Sequence, residues 1–169
     1  FRRVLFRSVL HSHATCATVP GAGLALKAHQ RQWCAQRGIP TITWTFDPLV
    51  SRNAHFNLTK LGCQITELMP DFYGTMTDAI NVGDESDRLM ATWDVAGAQP
   101  RGAMDVSGAH RALVDDAGTP RVDGLRTGRV NLVDIPTDVE AMRAAGDPRV
   151  RKWRLAVREL LSEALSTGG

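Results

Sequence analysis

The chain has 169 residues, 43% of them hydrophobic, enough to bury one core, and one domain with a short extension is the expected organisation. Its 20 lysines and arginines nearly balance 18 acidic residues, which leaves no electrostatic footprint for a polyanion and excludes nucleic acid as the expected partner. No apolar run approaches the roughly 20 residues that span a bilayer, so a soluble protein without a membrane partner is expected.

The opening stretch, residues 1–8, lacks the apolar core and small-residue cleavage site of a secretory signal. Its Arg2, Arg3 and Arg7 carry the basic excess, since removing them turns the net charge of +2 into −1. The stretch resembles translated read-through at the edge of an assembled gene and is set aside as a non-native leader. Cys16, Cys34 and Cys63 are odd in number and follow no CxxC spacing, which predicts thiols in a reducing, cytoplasmic compartment.

From Val9 to about Ala17 the residues read as a strand, and Val19-Pro20-Gly21-Ala22-Gly23 breaks it before a helix. In that helix Ala22, Leu26, His29 and Trp33 fall on one stripe, with Gly38 placed to stop it after Arg37. Thr41 to Phe46 alternates strictly, with Ile42, Trp44 and Phe46 on one face. Asp47-Pro48 ends that strand; a helix follows from about Ser51, with Ala54, Leu58 and Leu61 at helical spacing before Gly62. Another strand is expected near Cys63, then an irregular stretch around Pro70 to Gly74, then a strand through Leu89, Ala91, Trp93 and Val95. Residues 9–96 thus form the expected α/β domain.

Residues 97–128 turn rich in Gly, Pro, Asp and Ala and are expected as a loop-rich connection holding at most one hairpin. Residues 129–169 regain structure as an extension packed on the domain: a strand from Val130 to Ile135, a capping-box pair Thr137 and Glu140, and a helix started by Asp147-Pro148. That helix carries Val150, Trp153, Val157, Leu160 and Ala164 on an apolar stripe opposite Arg151, Arg158 and Glu159, whose basic face reads as a solvated surface.

The phrases His11-Ser12-His13, Ala25-Leu26-Lys27 with Gln30-Arg31, Trp44-Thr45-Phe46-Asp47-Pro48-Leu49 followed by Ser51-Arg52-Asn53-Ala54, the strand entry Ser86-Asp87-Arg88, and Ile135-Pro136 with Trp153-Arg154-Leu155-Ala156 resemble, in this order, a bacterial subfamily of predicted acyltransferases in the GNAT superfamily. The resemblance implies a mixed, mostly antiparallel sheet flanked by helices, lacking the superfamily's first strands, plus a small C-terminal strand and helix extension. It implies an acyl-CoA-dependent N-acyltransferase that moves an acetyl or other short acyl group to a small-molecule amine by direct attack, without a metal. The coenzyme's pantetheine would lie between two splayed strands and its pyrophosphate on the amides of Gly21, Ala22, Gly23 and Leu24, as helix starts favour anions. Backbone around Cys16 and Ala17 would polarise the thioester, with Thr18 standing where the superfamily usually has Arg or Gln. Ser51 and Asn53 lie nearest its coenzyme-contacting asparagine, and Leu58 occupies the place of its common catalytic tyrosine.

Tyr73, the one tyrosine, is the candidate general acid, with packing as its plainer role. His11 and His13 share a strand face and are candidates for a base or for two metal ligands, though two histidines do not make a metal site. His29 reads as a core or boundary histidine, and Cys16 as a structural thiol in preference to a nucleophile. A second expectation of another class is a noncatalytic fragment or interaction module that keeps part of an acyl-CoA site and pairs, for instance as a homodimer, through an exposed sheet edge.

Overall fold

A computed structural model describes residues 8–13, 19–74, 85–97, 100, 102 and 104–167. The protein is α/β, with two mixed sheets flanked by helices. Residues 1–7 of the expected leader, residues 14–17 at the end of the first expected strand, and Thr18 lie outside the described residues.

The first sheet has the order β1-β2-β4-β3, from β1 (Val9–His11), β2 (Thr41–Phe46), β3 (Gln64–Met69) and β4 (Arg88–Asp94). Strand β1 runs parallel to β2, and the other pairings are antiparallel. The alternation read from Ile42, Trp44 and Phe46 is borne out: all three are buried, packed with Leu89, Ala91 and Trp93 of β4. The opposite face, carrying Thr41, Thr43, Thr45, Met90 and Thr92, is only half-buried.

Helix α1 (Ala22–Gln36) crosses between β1 and β2, but not on the expected stripe. Leu26 and Trp33 are 49% and 39% exposed, whereas Lys27 and Cys34 are buried. The inward face is polar and cationic. Lys27 lies over the ring of Trp44, and Arg31 over that of Trp93, where its Nε donates to the Val95 carbonyl at 2.7 Å. His29, expected at the core or its boundary, is exposed.

After Asp47-Pro48, helix α2 (Ser51–Ala54) widens into a π-helical turn, His55–Lys60, in which the Leu61 amide donates to the Phe56 carbonyl. Such an i to i−5 bond inserts a residue and rotates the later side chains about the helix axis. Asn57 rather than Leu58 is therefore the buried side chain, and its Oδ1 accepts from Trp44 Nε1 at 3.1 Å.

The stretch expected as a connection holds a hairpin, β5 (His110–Asp116) and β6 (Thr119–Val122), and the strand expected in the extension, β7 (Asn131–Val133), completes with it a second sheet of order β6-β5-β7. Its hairpin turns on Ala117 and Gly118, both at positive φ, the two-residue geometry whose twist matches the flanking strands. Helix α3 (Val139–Ala144) is capped by Asp138, which accepts from the Ala141 amide, and not by Thr137. Helix α4 (Arg149–Ser166) buries Val150, Trp153, Val157 and Leu160 against Leu49, Ala112 and Leu113, joining the second sheet to the first. Of the expected solvated face of α4, Arg151 and Glu159 are exposed, but Arg158 pairs with Asp87 and Glu85. Arg154, 1% exposed, forks onto Asp47.

No helix among the described residues is long and apolar enough to cross a membrane.

Candidate functional site

The site begins where a strand pair parts. Pairing of β1 with β2 ends at His11 opposite Thr43, with one further bond from the Ser12 amide to the Thr43 carbonyl at 2.7 Å. Strand β2 continues to Phe46, paired there only with β4 among the described residues. The gap is a notch of about 320 Å³, lined by Ser12, His13, Gly23, Lys27, Trp44, Thr45, Phe46, Asn53, Phe56, Asn57, Tyr73 and Arg88.

Strand alternation sorts these residues onto two faces of the sheet. Trp44 and Phe46 belong to the buried face under α1, whereas Thr45 and, by the pairing of Thr45 with Met90, Arg88 belong to the other. The notch therefore passes through the plane of the sheet. Its helix side is lined by Lys27, Trp44, Phe56 and Asn57, and its far side by Thr45, Tyr73 and Arg88.

Lys27 dominates the helix side. Only 4% exposed, it holds its ammonium 3.5 Å from the Trp44 ring centroid and donates to Ser12 Oγ at 3.2 Å and Gln30 Oε1 at 3.3 Å. Burial lowers its pKa to about 8, against a smaller opposing pull from Cys63. On the far side the Arg88 guanidinium lies 5.1 Å from the Tyr73 ring, and its buried Nε has no hydrogen-bond partner among the described residues. Neither cation meets a carboxylate among the described residues.

Four residues singled out from the sequence come together here: His13, Gly23, Asn53 and Tyr73. Tyr73 sits at the rim, 48% exposed, with its amide held by Ser86 Oγ at 2.8 Å. Gly21 precedes α1 at φ 82 without a side-chain cap. The Ala22 amide is already used, donating to the Val19 carbonyl at 3.1 Å, whereas the Gly23 and Leu24 amides have no backbone acceptor among the described residues. Leu24 itself faces a separate apolar groove with Ala28, Arg31 and Trp93.

Ser51 is not brought to the notch, because its hydroxyl donates to the Thr137 carbonyl at 3.3 Å. His11 points elsewhere too, with Nδ1 3.1 Å from Thr43 Oγ1. Cys16, Ala17 and Thr18 lie outside the described residues. The described residues contain no group of three or more His, Cys, Asp or Glu side chains placed to hold a metal ion.

Sequence reading missed Lys27, Asn57 and Arg88 as lining residues. The available signal was compositional: only Lys27, Lys60 and Lys152 among the 20 basic residues are lysines, and Lys27 stands one turn after Gly23.

Comparison of the chain with protein-family models, with curated proteins and with solved structures gives no match.

Proposed function

We propose that this chain carries the coenzyme side of an acyl-CoA-dependent N-acyltransferase of the GNAT type. The observation that supports it is that, among the described residues, the parallel pairing of β1 with β2 stops at the Ser12 amide, so that Trp44–Phe46 pair on the β4 side only, beside the start of α1. An exposed strand edge offers alternating amides and carbonyls to an amide-containing chain such as pantetheine. The Gly23 and Leu24 amides, with the positive end of the α1 dipole, suit the pyrophosphate.

In this reading the thioester lies in the notch and an amine approaches from the face of Thr45 and Tyr73. Nitrogen attacks the carbonyl carbon, the C–N bond forms, the C–S bond breaks, and the departing thiolate takes a proton. Tyr73 at the rim is the candidate proton donor.

Calorimetric titration with acetyl-CoA tests the reading. Saturable binding is expected, weakened at least about tenfold by Gly23→Glu, which sets a negative charge beside the bound phosphates. The substitution has room: a Cβ at Gly23 would meet only Phe56 Cζ, at 4.0 Å. No binding at millimolar ligand, or equal binding by Gly23→Glu, would count against the proposal.

A second reading rests on β1 itself. Among the described residues this strand pairs on one side only, and Val9 is 54% exposed. An interaction module would use that edge to pair with another strand, which predicts concentration-dependent dimers by light scattering.

A further inference from the structure

We infer that Lys27 is a modification site, a nucleophilic amine seated in the notch that captures the acyl group of small acyl donors such as acyl phosphates and thioesters. The choice of residue type is the first argument. Of the 20 basic residues only three are lysines, and Lys60 and Lys152 are exposed. The other buried cations, Arg143 and Arg154, are guanidinium groups locked on Asp47. Arginine does not shed its proton in proteins, whereas a buried lysine does so readily.

Placement is the second argument. Lys27 is 4% exposed yet lines a notch of about 320 Å³ that small molecules can enter. Its Nζ is aimed by Ser12, Gln30 and the Trp44 ring, with no carboxylate to hold the proton among the described residues. The charged or titratable groups around it are His13 from the end of β1, Cys63 beyond the π-helical turn, Arg31 on its own helix, and Tyr73 and Arg88 across the notch. Burial brings its pKa to about 8, which leaves about a tenth of the amine neutral at pH 7.

In the reaction the neutral nitrogen attacks the acyl carbon. A C–N bond forms as the C–O bond to phosphate, or the C–S bond to a thiol, breaks; the leaving group departs with the electron pair, and the surplus amine proton passes to it through solvent. The resulting amide is uncharged and fills part of the notch, so modification both removes the cation over Trp44 and closes the space. None of this requires coenzyme binding.

The test uses the folded protein at pH 7 with acetyl phosphate, following acetylation of Lys27, Lys60 and Lys152 by peptide mass spectrometry. Lys27 is expected to react at least about tenfold faster than either exposed lysine. Unfolding in urea should abolish the preference, and Lys27→Arg should remove only the Lys27 signal. Labelling of Lys27 no faster than Lys60 in the folded protein overturns the inference. A parallel arm with acetyl-CoA keeps the two proposals apart: selective labelling by acetyl phosphate without acetyl-CoA binding supports Lys27 and leaves the coenzyme reading to fail by itself.

Discussion

In the C-terminal half, buried and half-buried arginines meet carboxylates; around the first sheet, buried and half-buried cations meet aromatic rings. Arg154 and Arg143 both bind Asp47, at 2.9 Å and 2.7 Å, and Arg158 reaches Asp87 and Glu85. Lys27, Arg31 and Arg88 instead lie over Trp44, Trp93 and Tyr73. A carboxylate cancels charge and fixes geometry, so the first set acts as clamps between α3, α4 and the ends of β2 and β4. A ring quadrupole attracts a cation without neutralising it. Among the described residues the second set thus forms no ion pair with a carboxylate, and in that it differs from the first.

The sharpest way to break the comparison is Asp47→Ala. It removes the carboxylate that two guanidinium groups share, one of them 1% exposed, and with it the acceptor of the Leu49 amide. Losing one partner of a buried ion pair costs about 3–5 kcal/mol, and urea unfolding should show a loss of that size. The effect is pH-dependent. Burial alone would raise the Asp47 carboxyl, but hydrogen bonding and charge from Arg154, then Arg143, hold it below the usual carboxylate range. Its contribution is thus present above the unfolded value of roughly 3.9 and lost as pH falls through the folded one, so mutant and wild type should converge in acid.

Asp87→Ala comes next. Asp87 is 1% exposed and accepts from the Asp71 amide and Arg158, but Arg158 keeps Glu85 as a second partner. Loss of a charged hydrogen-bond partner with partial compensation predicts about 2 kcal/mol, read from the same unfolding curves.

None of these clamps was legible in the sequence, for a plain reason: Arg154 and Asp47 stand 107 residues apart, and no periodicity encodes such a pairing. Strand β2 was legible because a half-buried strand repeats every two residues, and Ile42, Trp44 and Phe46 carry that signal undiluted. Helix α1 was legible as a helix but not in orientation. A hydrophobic stripe assumes an apolar bed, whereas α1 lies across a polar notch and turns Lys27 and Cys34 inward while Leu26 faces water. The same limit hid part of the site. Gly23, Asn53 and Tyr73 were singled out as residue types, but the π-helical turn that swings Asn57 beneath Trp44 depends on one inserted residue that spacing rules read as ordinary helix.

Lys27→Met sharpens the comparison by sign. Methionine keeps the apolar stem, and it removes a charge whose burial is unfavourable, so at pH 7 the variant should match wild type or exceed it by up to about 1 kcal/mol. Because the folded pKa of about 8 lies below the unfolded value, the unfolded chain holds the extra proton between them. Wild type should therefore gain stability relative to Lys27→Met as pH rises from about 8 to roughly 10.4. Cys34, whose thiol burial pushes up, slopes the opposite way but equally in both proteins, so the difference isolates Lys27. A loss as large as that of Asp47→Ala would erase the distinction between clamp and notch.

The smallest effect concerns an ion pair that looks like a clamp by geometry and differs only in exposure. Arg52 forks both terminal nitrogens onto Glu140 at the start of α3, joining α2 to the C-terminal half as Arg143 and Arg154 join it to β2. Yet the two side chains are 70% and 44% exposed, against 1% for Arg154. Water already solvates both partners when they separate, so the pair replaces good hydration with a contact of similar strength and loses side-chain freedom in doing so. Exposed pairs contribute about 0.2–1 kcal/mol, and a double-mutant cycle on Arg52→Ala and Glu140→Ala should return a coupling in that range that shrinks further in molar salt. A coupling near that of Asp47 would mean that desolvation is not what distinguishes the clamps, and the contrast between the two halves would have to be redrawn on geometry alone.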